Sequence, residues 1–296
     1  MKDIAFTLKI KYCIEVSFVW ALVKTLSFFP RKISLILGKN LGRILYLILP
    51  SRFEIAKQNL IASFPGIPEK KVKTIIKQCW ENLGEGAADF VKMAEISKED
   101  FYSFVEAQGL THLKNSYSQG KGALILTAHY GAWEWGAKFW PFSGFKTAVI
   151  ARRVKNPYVN DLVTKIRSAD GVKVILSRNG VREGIRWLKE GNLLAILIDH
   201  RVKEGGLQIP FFGRLASTTS LPAILSLRYA IPVHLVRSWK EKSKIKIHIS
   251  PAMDFSDLSQ SEADIFEATC RMNKVVEDWI REQPQRWLWI HNRWKT

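Results

Sequence analysis

Ala123-Leu124-Ile125-Leu126-Thr127-Ala128-His129-Tyr130-Gly131-Ala132-Trp133-Glu134 is the stretch that decides how this chain is read. Its first residues form a short apolar run of strand length. The run opens onto a histidine, with a glycine two residues on and a carboxylate five residues on. A histidine at the mouth of a strand, partnered by a carboxylate, is a compact acid–base unit able to take a proton from a hydroxyl group. Positions i and i+5 do not share a face of one continuous helix. His129 and Glu134 therefore meet only if His129 precedes the helix and Glu134 lies in its first turns. Gly131 suits that strand-to-helix turn, where the backbone takes an unusual conformation.

Outward from this stretch, apolar β-type runs alternate with helical ones. The runs are Ala123–Thr127, Thr147–Ala151, Val172–Leu176, Leu193–Ile198 and Pro232–Val236. Between them lie Trp133–Trp140, Val159–Ala169, Gly180–Glu190 and Thr219–Tyr229. Such alternation predicts an α/β domain. Lys244–Ile249 alternates polar and apolar residues and predicts a strand with one wet face. Ser261–Glu282 predicts a long closing amphipathic helix. Upstream, Ser51–Ser97 is helical, interrupted by the turn Phe64-Pro65-Gly66-Ile67-Pro68. Lys98–Gly109 reads as a connector, and Leu110–Tyr117 as a short helix.

The N-terminus has a different character. Tyr12–Phe29 is apolar over about the minimum length that crosses a bilayer, but Glu15 and Lys24 interrupt it. Ile33–Leu49 is apolar with Lys39 and Arg43 inside. Charges in mid-span are costly, and basic residues flank both runs, so helices lying in or dipping into the membrane interface are expected. One crossing helix is the rival, and a pair of buried soluble helices the third reading. No small-residue cleavage site follows a clean apolar core, so no secretory signal is expected. The organisation is a membrane-associating region over 1–50 and an α/β domain over 51–296, with 51–110 as its helical lead-in.

The chain has 296 residues, 47% of them hydrophobic, and a formal net charge of +18. That excess implies an anionic partner: a phosphorylated substrate, an anionic bilayer, an acidic protein or nucleic acid. Cys13, Cys79 and Cys270 show neither C-x-x-C nor metal-ligand spacing, which favours free thiols in a reducing compartment. No zinc-type spacing exists, so neither metal nor cofactor is expected.

The 127–134 block resembles the first motif of the bacterial lipid A biosynthesis acyltransferases, the late lauroyl/myristoyl family within the wider glycerolipid acyltransferases. Arg152-Arg153-Val154-Lys155-Asn156-Pro157 is similar to the family's arginine and Asn-Pro block. Gly191–His200 resembles its strand ending in aspartate, Pro210–Thr219 its Phe-Phe-Gly and threonine segment, and Trp287–Lys295 its aromatic signature. These blocks run in the expected order from about residue 60 onward. Two positions depart: Ala132 stands where asparagine is expected, and His200 follows Asp199 where glutamine is more usual. Both bear on acceptor or acyl preference.

The resemblance implies a glycerolipid-acyltransferase-like mixed sheet flanked by helices. It implies transfer of a fatty acyl chain from acyl carrier protein, less readily from coenzyme A, to a hydroxyl of a lipid A precursor. The setting would be the cytoplasmic face of the bacterial inner membrane. His129 would take the hydroxyl proton, and Glu134 would hold and polarise His129. No serine or cysteine sits in a G-x-S-x-G elbow, which favours direct attack by the acceptor over a covalent acyl-enzyme.

Substrate contacts are expected from Arg152, Asn156, Arg167, Arg178, Asp199, Phe212, Gly213 and Thr218. Arg152 follows an apolar run at a strand end and suits phosphate; Arg153 is equally well a solvated charge. Arg167 and Arg178 are weaker candidates, with a surface role the simpler reading. Asp199 is expected to shape the site through an ion pair, with Arg201 or Arg152. Phe211-Phe212-Gly213 forms an acyl-chain wall or packs the core. Thr218 and Thr219 cap the next helix and offer N–H groups to an anion. His291 and Arg293 belong to an aromatic tail whose simplest role is packing. Two rival functions remain: acylation of another glycolipid or lysophospholipid, and a basic non-catalytic protein binding membrane or nucleic acid. The basic residues are spread along the chain without a nucleic-acid motif, which argues against nucleic acid.

Overall fold

The structure is a computed structural model, and it describes residues 6–176 and 180–295. Proline punctuates the N-terminal helices, because its missing N–H and fixed φ suit a first turn and not an interior. Pro30 separates α1 (Phe6–Phe28) from α2 (Arg31–Ile48). Pro50 opens α3 (Pro50–Ser63), and Pro68 precedes α4 (Glu69–Met93). The chain continues through α5 (Lys98–Phe104), β1 (Val105–Gln108), α6 (Leu110–Ser118) and β2 (Ala123–Thr127). A 3-10 turn, Trp133–Trp135, leads into α7 (Gly136–Phe142). Then come β3 (Thr147–Ala151), α8 (Pro157–Ser168), β4 (Lys173–Leu176), α9 (Gly180–Lys189) and β5 (Leu193–Leu197). The hairpin β6 (Leu207–Phe211) and β7 (Arg214–Thr218) precedes α10 (Leu221–Tyr229), β8 (Val233–Glu241), β9 (Lys244–Ala252) and α11 (Glu262–Glu282).

Seven strands form one mixed sheet in the order β1-β9-β8-β2-β5-β3-β4. Every neighbouring pair is parallel except β8 and β9. Because side chains alternate across a strand, β2 divides its residues between two cores. Leu124 and Leu126 join α3, α4 and α11 on one side; Ala123 and Ile125 join α5, α6 and α7 on the other. The expected strands and the closing helix are present. One segment differs from expectation. Residues 98–108 form a helix and an edge strand pairing with β9, because Phe101 and Val105 have a core to enter. The Pro210–Thr219 segment is part of a two-stranded hairpin outside the main sheet.

The N-terminal helices are joined to the rest through backbone contact. A Cβ on Gly42 would lie 2.1 Å from the Trp80 carbonyl oxygen, and one on Gly38 would lie 2.4 Å from that of Gly84. A Cβ on Gly84 would meet the Gly38 oxygen at 2.1 Å. Thus α2 and α4 are in backbone contact at Gly38, Gly42 and Gly84, with the Ala88 side chain also against Gly38. Bonds from Arg31 to Asp89 at 2.8 Å and from Arg43 to Glu81 at 2.7 Å fix the register.

With one face of α2 occupied, its apolar residues Ile33, Ile36, Ile44 and Leu47 remain outside, as do Ile14, Phe18, Trp20 and Phe28 of α1. Twelve of the 21 exposed large apolar side chains among the described residues lie on these two helices. The exposed apolar side chains are thus concentrated on these two helices. Among the described residues no single helix is long and apolar enough to cross a membrane; α2 and α3 meet the length and composition test only as a pair bent by 89°.

The close approach makes a stability prediction. Gly42→Val places two methyl groups where backbone already lies and should cost about 3 kcal/mol or more. Gly86→Ala, on the same helix α4 with nothing within 4 Å of the added carbon, should hold or raise stability. Melting temperatures of both variants in detergent check this; an unchanged melt for Gly42→Val would mean the helices are not in backbone contact.

Candidate active site

The site is set by the register of β2 and β5. Thr127 stands opposite Leu197 in the parallel ladder, and the Ile198 N–H extends it to the Thr127 carbonyl at 3.0 Å. Two residues further along each strand are His129 and Asp199, side by side at the C-terminal edge of the sheet, where ligand sites of open α/β sheets gather. Asp199 Oδ1 lies 2.9 Å from His129 Nδ1. Asp199 Oδ2 accepts from the His129 backbone N–H at 2.9 Å and from Trp287 Nε1 at 2.8 Å.

Asp199 is therefore the carboxylate that holds His129, and the expected pairing of His129 with Glu134 is corrected. Glu134 gives both carboxylate oxygens to Arg167: Oε2 accepts from Nε at 3.1 Å, and Oε1 accepts from Nη2. The cause lies in the intervening turn. Gly131 adopts φ +58°, and a Cβ there would meet the Ser238 oxygen at 2.2 Å. Its N–H donates to the Arg286 carbonyl, and that of Ala132 to the Ser238 carbonyl. So held, the chain turns through 133–135 as a 3-10 helix, and Glu134 reaches α8 across the turn.

Burial pushes the Asp199 carboxyl up, but the His129 and His200 imidazoles and the Trp287 bond outweigh it and hold Asp199 below the usual carboxylate range. An ionised Asp199 accepts from Nδ1–H, which leaves Nε2 of His129 as the free base. The His129 side chain is 18% exposed, so a substrate can reach it. Cys79 offers no rival nucleophile: its thiol donates to the Trp287 carbonyl, and burial pushes it up to about 12.

Two further imidazoles complete the centre, both assigned to lesser roles by their sequence context. His200 stacks on His129 with ring centroids 3.8 Å apart, and His291 stacks on His200 at 4.2 Å. Burial, then the proximity of His129, pushes His200 down to about 3. Burial pushes His291 down to about 4 against the pull of Asp199. Arg152 is exposed after β3, near enough to both rings to disfavour their charged forms. The lone signal for Trp287 and His291 was the tryptophan-rich run that carries them; its distance in sequence hid the contact.

Other expected contacts serve the fold. Asn156 caps α8 by accepting from the Tyr158 and Val159 N–H groups, and it donates to the Tyr12 carbonyl and to Glu15, tying α1 to α8. Phe212 and Gly213 form the turn of the β6–β7 hairpin at φ +54° and +72°. The Phe212 N–H donates to Glu277 at 2.5 Å, and its ring packs on Phe64, Trp289 and Trp294. Thr218 does not cap α10; it is buried and accepts from Arg293. Arg178 lies outside the described residues.

Beside Glu134 and Arg167 is a cavity of about 300 Å³ between α4, the 133–135 turn and α8. Leu83, Ala87, Phe90, Trp133, Trp135 and Val163 give it an apolar lining, with Lys240 and Arg286 among its polar groups.

The buried imidazoles make stability fall in acid. Unfolded histidine titrates near about 6.5. Below that, the unfolded chain takes up protons that folded His200 and His291 refuse, so stability is full above about pH 7 and is lost as the pH drops towards 4. Urea midpoints should decline across that range, and His291→Gln should reduce the slope. A flat profile in wild type would mean that the rings are charged in the folded state.

The chain is similar to several known acyltransferases. The model of the bacterial lipid A biosynthesis acyltransferase family matches residues 3–296. A lipid A biosynthesis palmitoleoyltransferase of Escherichia coli (strain K12) is 25% identical over 280 residues, 90% of this chain and 86% of that protein. A lauroyltransferase of the same organism is 25% identical over 272 residues, 88% of this chain and 84% of its own length. A phosphatidylinositol mannoside acyltransferase of Mycolicibacterium smegmatis (strain ATCC 700084 / mc(2)155) is 24% identical over 191 residues, 61% of each chain.

Proposed function

Because the chain belongs to the bacterial lipid A biosynthesis acyltransferase family, we propose that it moves a fatty acyl chain from an acyl carrier protein thioester to a hydroxyl of a lipid A precursor. The observation that carries this reading is His129, with Nδ1 against the ionised, buried Asp199 and its ring open to substrate. His129 Nε2 takes the proton of the acceptor hydroxyl as the hydroxyl oxygen bonds to the thioester carbonyl carbon. The tetrahedral centre then collapses, the C–S bond breaks, and the proton leaves with the carrier's sulfur. Asp199 keeps Nε2 free and stabilises the imidazolium. No protein nucleophile is needed.

The acyl chain fits the apolar cavity behind Glu134. The Glu134–Arg167 pair lines it, so Glu134 acts through Arg167 and not on His129. Arg152 and Arg153 suit the acceptor's phosphates or the developing oxyanion. The apolar faces of α1 and α2, flanked by Lys9, Lys11, Lys24 and Lys32, suit an anionic leaflet such as the cytoplasmic face of the inner membrane. The net charge of +18 also suits an acidic carrier protein, with coenzyme A the weaker donor. A second reading keeps the chemistry and takes another glycolipid as acceptor; the mannoside acyltransferase relative favours it.

The test is acyl transfer in detergent from carrier-protein thioesters of several chain lengths to a tetra-acylated lipid A precursor, with a mannosylated phosphoinositide in parallel. Wild type should acylate the lipid A precursor, and His129→Ala should lose about 10²-fold or more in rate. Transfer to the phosphoinositide alone would replace the acceptor, and no transfer to either would overturn the reading. Flotation with anionic vesicles checks attachment; protein that stays at the bottom contradicts it.

A further inference from the structure

The reaction as derived uses one imidazole, yet the site holds three in a stack. His200 is the middle ring, 3.8 Å from His129 at an interplanar angle of 8°, and 4.2 Å from His291 at 25°. Its Nε2 is buried without a hydrogen-bond partner among the described residues. A proton there would be a buried charge with no acceptor, facing His129 and Arg152, which is costly. His291 Nε2 accepts from the Arg201 N–H at 3.4 Å, so that ring too is in its neutral form. Among the described residues, Asp199 is the one carboxylate acting on both rings, and its oxygens are occupied by His129 and Trp287. Arg293, from the last segment, also acts on His291; it is buried and bonded to Ser217 and Thr218.

We propose that His200 is a positioning residue for His129: a neutral aromatic face that fixes the plane of the catalytic imidazole and stabilises its imidazolium. The inference rests on His129 being the base. When Nε2 takes the acceptor's proton, the new charge lies face-on to a neutral π system at van der Waals distance, an attractive arrangement. No proton passes between the rings, because stacked rings present faces and not N–H groups to one another. His291 backs His200 and stops it from turning away. Glutamine, which the resemblance leads one to expect after the aspartate, would supply no such face.

The value of pushing His200 down to about 3 is then clear. A charged His200 would repel the imidazolium, whereas one that stays neutral at working pH assists it at every turnover.

The experiment is a titration of His129 in full-length protein carrying ¹³C-labelled histidine in detergent, with His129 assigned by loss of its signal in His129→Ala. Wild type, His200→Gln and His200→Phe are compared, together with the pH profile of kcat/KM. His200→Gln should lower the His129 midpoint by about half a pH unit to one unit and move the acid limb of the profile down equally. It should reduce kcat about threefold to tenfold with KM unchanged. His200→Phe, which restores an aromatic face without a ring nitrogen, should rescue the midpoint and most of kcat. A His129 midpoint indifferent to His200→Gln overturns the proposal. So does His200→Phe falling as far as His200→Gln, since that outcome assigns the function to Nε2. The titration needs no substrate, so failure of the proposed acyl acceptor would show in the transfer assay and leave this result to be read by itself.

Discussion

The carboxylate of Asp199 is buried, and such a charge is tolerated only where donors reach it. Three do: the backbone N–H of His129, the Nδ1–H of the same residue, and the indole of Trp287. They come from just beyond β2 and from Trp287 in the last segment, while Asp199 lies two residues beyond β5. One side chain thus fixes the edge of the sheet, the tautomer of the base and the docking of residues 284–294. The Trp287 carbonyl accepts from Cys79 of α4, and the Trp289 and His291 carbonyls accept from Asn59 of α3. The edge of the sheet that holds His129 is therefore joined to α3 and α4, the helices on which α1 and α2 rest.

That continuity gives the glycine contacts between α2 and α4 a functional sense. The apolar faces of α1 and α2 lie on a helix layer whose central member, α4, also lines the cavity behind Glu134. Asn156 ties α1 to the start of α8, and α8 supplies Arg167. A lipid acceptor held at the membrane face and an acyl chain in the cavity would converge on the same edge of the sheet. The Glu134–Arg167 pair belongs to this scaffold: it joins the 133–135 turn to α8 and sets the width between them.

The sheet was legible because its strands are apolar runs bounded by turn residues. Thr147–Ala151 and Ala123–Thr127 begin and end where the pattern says. Local signals failed where tertiary context decides. Lys98–Gln108 has little apolar periodicity, yet it forms a helix and an edge strand because Phe101 and Val105 are buried. The β6–β7 hairpin is masked by Pro210 and by a turn, Phe212-Gly213, with a non-glycine residue at positive φ, which needs Glu277 to hold its N–H. His129 was recognisable from its strand-end position. Its partner was not, because the nearest carboxylate in sequence is Glu134, whereas parallel pairing brings Asp199 to the ring from 70 residues away. Trp287, His200 and His291 were out of reach for the same reason.

Asp199, and not Glu134, is the carboxylate that lies against His129. The most direct measurement is kcat and KM for acyl transfer by Asp199→Asn and Glu134→Gln, each checked for an unchanged fold by its melting profile. Asp199→Asn should lose about 10³- to 10⁴-fold in kcat, as removal of the partner carboxylate of a catalytic histidine does. Glu134→Gln should act chiefly on KM for the acyl donor. A kcat near wild type for Asp199→Asn, with the large loss in Glu134→Gln instead, would contradict this role of Asp199.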